Sequence, residues 1–384
     1  MDGNVRKILA LLALSVLAAG VMAGQEPIPG DTAVFRGSVA HTGLYDAAPI
    51  IAAPEVAWSF ALPRPVRVTP AIADGVAYVG SEAGVLVAVD AVSGELVWEY
   101  DATRAIVASP TVLDGVVYGG SHDGCVWALD AADGSLLWEF QTGNEIYASP
   151  VVTDTLVIIG SRDRTLYALN RETGVPEWQR ELDGEIFASP TIGGEAVFVG
   201  TRGGVFHALD VTSGDELWTY DTGAGIDSTA AWDAGMVYVG SYNGTLYAMS
   251  AEDGEIAWRF DAGSAVYTSP AVNQESVFVN GIGGTFYAVA RETGEEVWRF
   301  EMGAPAYSSP VITQDVVYTL SETGGWLYGL DVGTGAELWR VVTGYQGDWR
   351  SSNPVPVDGG IFIGSNQDGL LYITGETGTV DAAP

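Results

Sequence analysis

Tryptophan recurs at Trp58, Trp98, Trp138, Trp178, Trp218, Trp258 and Trp298, forty residues apart each time, and again at Trp339 after forty-one. A fixed period of that length is the signature of near-identical structural units laid side by side. The text between the tryptophans agrees: "SPTVLDGVVYGGSHDGCVWALDAADGSLLW" is followed by "SPVVTDTLVIIGSRDRTLYALNRETGVPEW". Each unit divides into four alternating runs separated by turn residues such as Asp114-Gly115, Asp123-Gly124 and Asp133-Gly134. Such a unit predicts four short antiparallel strands. Four-stranded sheets repeated around an axis make a β-propeller.

Seven units are complete, running over residues 70–98, 110–138, 150–178, 190–218, 230–258, 270–298 and 310–339. The last begins at Pro354 and reaches "LLYITGETG" without a tryptophan, while Trp58 stands in "EVAWSF" with no strands before it. Joining the two halves predicts an all-β, eight-bladed propeller of four-stranded antiparallel blades, its ring closed by an N-terminal strand that completes the last blade. Closure of this kind removes two exposed sheet edges, so a monomer is expected. From Trp98 onward each repeated tryptophan follows a glycine by four residues, as in "SGELVW" and "DGEIAW". Burying such a ring contributes on the order of 4 to 6 kcal/mol as an upper estimate. These rings are read as packing between blades.

The pattern GxVYVGSxxGxLYALDxxTGxxxW, present at Gly235 to Trp258 and its equivalents, resembles the PQQ-type propeller repeat with its tryptophan-docking motif, and "FRGSVAHTG", Phe35 to Gly43, resembles the lead-in of secreted members. The resemblance covers roughly residues 34 to 378 and is specific for fold, less so for activity. Two branches of the family imply different functions. Quinoprotein alcohol dehydrogenases hold pyrroloquinoline quinone and Ca²⁺ on the propeller axis, with the quinone stacked on a disulfide of adjacent cysteines. Here Cys125 is the only cysteine, and the chain is shorter than those enzymes. BamB-like members bind a partner protein and do no chemistry. They are lipoproteins, and no cysteine stands here where a lipid would be attached.

Because the chain reverses at every turn, one face of the ring carries the loop entering each first strand and the loop between the second and third strands. The opposite face is monotonous: Asp90, Asp130, Asp210 and Asp331 open turns closed by Gly94, Gly134, Gly214 and Gly335, which is turn chemistry. The first face varies. Three residues before each proline slot stand Arg67, Val107, Tyr147, Phe187, Asp227, Tyr267 and Tyr307, and the eighth blade brings the insertion "GYQGDWRSSNP" with Asp348, Trp349 and Arg350. Aromatics with a few charges at a channel mouth compose a recognition surface. Blades one and five lie opposite each other, and Arg67 and Asp227 are read either as a polar anchor pair bridged by a ligand or as local strand capping. A secondary basic cluster, Arg104, Arg162, Arg164 and Arg202, falls in loops of the same face. It is read either as an anion site or as solvated loop arginines beside carboxylates.

No residue set is assigned to catalysis or metal binding. His41, His122 and His207 form neither a zinc pattern nor a triad by spacing. Asp227, Asp348 and Asn353 are oxygen donors of the kind Ca²⁺ takes, and nothing in the sequence makes them converge. Sixteen basic against 49 acidic side chains, a net charge of −33, exclude nonspecific nucleic-acid binding. The same excess fits high-salt surroundings as well as an ordinary acidic secreted protein. Residues 8–23, "ILALLALSVLAAGVMA", follow Arg6 and Lys7 and end in a small-residue cleavage pattern; an uncleaved anchor is the alternative. The expected organisation is a signal peptide at 1–23, a lead-in at 24–53, the propeller at 54–378 and a tail at 379–384. The function read from this is a periplasmic or extracellular scaffold, exported by a cleaved signal. It would bind a cell-envelope or secreted protein or peptide, or a small anionic ligand, and need no cofactor. The alternative is a dehydrogenase dependent on pyrroloquinoline quinone and Ca²⁺.

Overall fold

The computed structural model describes residues 34–322, 324–344 and 352–380. The expected signal peptide and residues 345–351 of the insertion, with Asp348, Trp349 and Arg350, lie outside them. Eight four-stranded antiparallel sheets form the propeller. Blade five shows the common plan: an inner strand Ala231–Asp233, then Met236–Gly240, Thr245–Ser250 and an outer strand Ile256–Asp261. Inner strands have two or three residues, because the sheets converge on the axis and leave room for little more. The middle strands are buried on both faces, and Thr245–Ser250 exposes neither Leu246, Tyr247, Ala248 nor Met249. Outer strands alternate, as in Ile256–Asp261, where Trp258 is buried between exposed neighbours.

Tryptophan and glycine lock each blade to the next. The Trp218 ring lies on Gly254 of the following blade, where a Cβ would sit 2.6 Å from Trp218 Cε3, and Gly254 has φ +74°. Only glycine satisfies both the left-handed backbone and the ring's approach. The indole N–H completes the contact by donating to a carbonyl of the next blade: Trp98 to Ala131 at 2.8 Å, Trp138 to Arg171 at 2.9 Å, Trp178 to Val211 at 3.0 Å, Trp218 to Ala251 at 3.0 Å, Trp258 to Arg291 at 2.8 Å and Trp298 to Val332 at 3.1 Å. Trp339 differs, donating at 2.8 Å to Ile50 in the lead-in. Trp58 packs on Gly94, yet its buried Nε1 finds no acceptor among the described residues.

The ring closes through both chain ends. Glu55–Phe60 pairs antiparallel with Gly369–Thr374, with Trp58 opposite Tyr372 and Phe60 opposite Leu370, so the eighth sheet holds one N-terminal and three C-terminal strands. The lead-in reinforces this. Ile51 N–H donates to Glu376 at 2.9 Å, and Gly378 N–H to Pro49 at 3.2 Å. Further upstream it follows the inner strands of blades four to seven. Ile192, Trp232, Val272 and Ile312 donate their backbone N–H to Val39, Ala40, Thr42 and Gly43, at 2.8 to 2.9 Å. Inner strands are sheet edges with unpaired donors, so a chain segment laid along them satisfies groups that burial would otherwise penalise.

Two measurements check these contacts. Trp258→Phe removes an indole N–H and leaves the Arg291 carbonyl unpaired, so its urea midpoint should fall further than that of Trp58→Phe, by a free-energy difference of about 1 kcal/mol. Deleting residues 54–62 should yield an unfolded or self-associating product in size-exclusion chromatography; a stable monomer would contradict the closure.

Candidate functional site

A cavity of about 530 Å³ lies on the propeller axis. Its floor is built from the residue before each proline slot: Thr69, Ser109, Ser149, Ser189, Thr229, Ser269, Ser309 and Asn353, one from every blade. Each gives its backbone N–H to the side-chain oxygen of the next. Thr69 donates to Ser109, Ser109 to Ser149, Ser149 to Ser189, Ser189 to Thr229, Thr229 to Ser269, Ser269 to Ser309, Ser309 to Asn353, and Asn353 back to Thr69, at 2.8 to 3.2 Å. The circle answers a local problem. The residue before proline is held extended, its N–H faces the channel at a sheet edge, and the proline that follows brings no donor of its own.

Above this floor the walls come from the position three before the proline and, at Arg202 and Tyr242, from the loop between the second and third strands. Successive members touch. His122 meets Tyr147 at 4.3 Å between ring centroids, and Tyr147 meets Phe187 at 4.7 Å. The Arg202 guanidinium lies 3.4 Å over the Phe187 ring. Arg202 also grips Asp227, Nε to Oδ1 at 3.0 Å and Nη2 to Oδ2 at 2.7 Å. The Tyr242 hydroxyl donates to Asp227 Oδ2. Tyr242 then meets Tyr267 at 4.2 Å, and Tyr267 meets Tyr307 at 5.8 Å. Burial alone would work against the Arg202 charge, but the Asp227 hydrogen bond and charge outweigh it and hold the guanidinium above its ordinary range. Burial, then Asp227, pushes the Tyr242 phenol well above the usual tyrosine range.

The structure places Arg67, Tyr147, Phe187, Asp227, Tyr267 and Tyr307 together on this one cavity. It does not pair Arg67 with Asp227: Arg67 Nε meets Glu82 at 2.8 Å, and Asp227 is taken by Arg202 and Tyr242. Nor are the loop arginines bare cations. Arg162 is held by Glu145 and, at 3.0 Å, by Glu185, and Arg164 by Glu181. Burial would raise the Glu145 carboxyl, yet the Arg162 hydrogen bond and charge prevail and lower it. Arg104 lines a separate groove of about 580 Å³ with Glu82, His122, Asp123 and Glu145. Sequence reasoning missed Tyr242, Phe35 at the cavity floor, and the hydroxyl circle. Tyr242 occupies the same loop slot as His122, Arg162 and Arg202. The circle was written in the Ser-Pro and Thr-Pro pairs, where the proline drew the reading.

The family described as outer membrane protein assembly factor BamB matches residues 51–149, 143–229 and 221–380. The chain belongs to this family. None of the curated proteins matches it. Among solved structures, BamB from Moraxella catarrhalis is 20% identical, with a TM-score of 0.73 over 86% of this chain and 100% of that one. The quinohemoprotein alcohol dehydrogenase from Comamonas testosteroni is 17% identical, with a TM-score of 0.76 over 92% and 82%. A europium-containing methanol dehydrogenase is 14% identical, with a TM-score of 0.76 over 91% and 98%. At these identities the likeness is one of fold. A metal-held quinone needs several convergent oxygen ligands. In this BamB-family propeller, Asp227 is the one carboxylate among the described residues lining the cavity, and its oxygens are engaged. Asn353 Oδ1 accepts the Ser309 N–H at 2.8 Å. Among the described residues no three His, Cys, Asp or Glu side chains gather as metal ligands. Among the described residues this donor set does not fit the group.

Asp227→Asn removes the charge that suppresses the Tyr242 phenolate. Spectrophotometric titration, with Tyr242→Phe as the blank, should show the Tyr242 transition at lower pH in Asp227→Asn than in the parent; an unmoved transition would contradict the contact.

Proposed function

We propose that this chain is an exported, non-catalytic binding scaffold of the cell envelope or exterior, whose aromatic cup receives a segment of a partner protein or a small ligand. The observation that carries this reading is the state of the cup's polar groups. Arg67, Arg202, Asp227 and Tyr242 all hold one another or a neighbouring carboxylate, which leaves a preformed pocket with rigid aromatic walls and, among the described residues, no side chain paired as nucleophile and base. Rings held edge against face offer large contact area at small entropic cost. The match to the family described as outer membrane protein assembly factor BamB supports a protein partner in the cell envelope.

The test is capture of partners from cell-envelope extract on the immobilised full chain. Tyr267→Ala combined with Tyr307→Ala should reduce recovery of a specific partner by about tenfold, the effect of losing one or two anchoring rings. Asp133→Ala, on the opposite face, should leave recovery unchanged. Equal recovery by all variants would move the site elsewhere. Stoichiometric uptake of pyrroloquinoline quinone with Ca²⁺, accompanied by dye reduction in the presence of an alcohol, would replace the scaffold reading with the dehydrogenase.

A further inference from the structure

The cup's floor and the lead-in beside it form a site that the wall residues do not account for. Seven of the eight floor groups are hydroxyls, and every side-chain oxygen in the circle already accepts a backbone N–H. Their O–H groups, with the Asn353 amide, have no protein acceptor among the described residues. Each hydroxyl keeps its O–H to give, and one lone pair besides, so the floor can donate hydrogen bonds to a ligand seated on it.

Next in the chain to Phe35, which lines the cavity, stands Arg36, which is 0% exposed. Its Nη2 donates to the carbonyl of Pro270 at 2.6 Å, one residue from the floor member Ser269, and its Nε donates to the His41 carbonyl at 3.2 Å. Nη1 is buried with no partner, and among the described residues no carboxylate forms an ion pair with this guanidinium. Burial lowers Arg36 to about 10, which leaves it cationic at neutral pH. His41 beside it is depressed by burial, and then by Arg36, to about 3, so the imidazole is neutral and contributes no second charge. A buried guanidinium without a counterion is costly, and its field is weakly screened in the interior.

Charge matching selects the ligand. Arg67 is balanced by Glu82 and Arg202 by Asp227, which leaves Arg36, among the described residues, as the positive charge beside this floor that no carboxylate balances. One negative charge neutralises it; a phosphate dianion would leave an excess anion on a chain already at −33. The cation-attracting face of Phe187 is covered by Arg202, whereas Tyr242, Tyr267 and Tyr307 form a wall for an apolar body. The volume, about 530 Å³, lies in the range of pockets for organic ligands.

We infer that the cup receives a carboxylate end, seated on the ring of hydroxyl donors beside Arg36, with the rest of the ligand against Tyr242, Tyr267 and Tyr307. This rests on the scaffold reading and specifies what the scaffold holds: a free organic acid or the carboxyl terminus of a peptide.

Calorimetry on the full chain in EDTA, with phenylacetate against phenylacetamide and acetyl-Ala-Ala-Phe acid against its C-terminal amide, tests it. At least one acid should bind about tenfold or more tighter than its amide. Binding by phenylacetate alone identifies a free acid, and binding by the tripeptide alone a chain end. Ser269→Asn and Ser269→Asp both keep an oxygen for the Thr229 N–H, as Asn353 does for Ser309. The Asn variant should bind within about threefold of the parent and the Asp variant at least about tenfold more weakly. Arg36→Gln should weaken the acids and leave the amides unchanged; if it does not fold, the Ser269 pair decides. Amides binding as tightly as acids, equal binding by both Ser269 variants, or no binding by any probe would overturn the inference. Undiminished partner capture by Ser269→Asp, with no acid binding, would sink this inference alone and leave the scaffold standing.

Discussion

Eight backbone N–H groups, each donated to the side chain of the next blade, set the geometry at the axis on which the cup and its walls depend. A propeller brings eight sheet edges together where side chains are short and water has little room. An unpaired donor there costs about 1 to 3 kcal/mol. The Ser-Pro unit resolves this twice, since serine supplies the acceptor for the preceding blade while proline lacks the next donor. At the outer radius the indoles of blades one to six perform a similar service through a carbonyl and a glycine of the next blade. Blades are thus tied at two radii, and a side chain placed between them is held at a fixed angle around the axis. That angular order lets Arg202 of blade four reach Asp227 of blade five without distortion.

Much of this was legible in the sequence, for reasons that differ by element. The tryptophan period and the unmatched halves at the two ends define eight blades and their closure, because periodicity and strand edges are properties of the chain itself. The wall residues Tyr147, Phe187, Asp227, Tyr267 and Tyr307 were legible as deviations in one slot. The pairing of Asp227 was not. Sequence comparison aligns equivalent slots, which suggests the opposite blade, whereas contact follows neighbouring blades and joins two different slots. The path of Phe35 to Tyr45 was hidden for another reason: it has no repeat and no alternation, and its partners are the backbones of four separate blades.

The acidic excess is arranged so that the cup does not share it. Aspartates such as Asp90 and Asp210 accept backbone N–H groups in turns of the far face, where hydrogen bonds to Ser213 and Thr212 overcome slight burial and hold Asp210 below the usual range. On the other face Arg67, Arg162, Arg164 and Arg202 each meet a carboxylate. A molecule with a strongly negative exterior thereby keeps a cavity with little charge of its own, and Arg36 beside it gives that cavity its sign.

The joining of Glu55–Phe60 to Gly369–Thr374 sets a schedule for maturation. A polypeptide emerges amino end first, and here the earliest strand waits for a partner more than three hundred positions behind it. Intermediate blades can assemble against their neighbours as they appear, but the first edge stays open until the final stretch arrives. The time between those two events is when this chain most needs protection from pairing with another copy of itself.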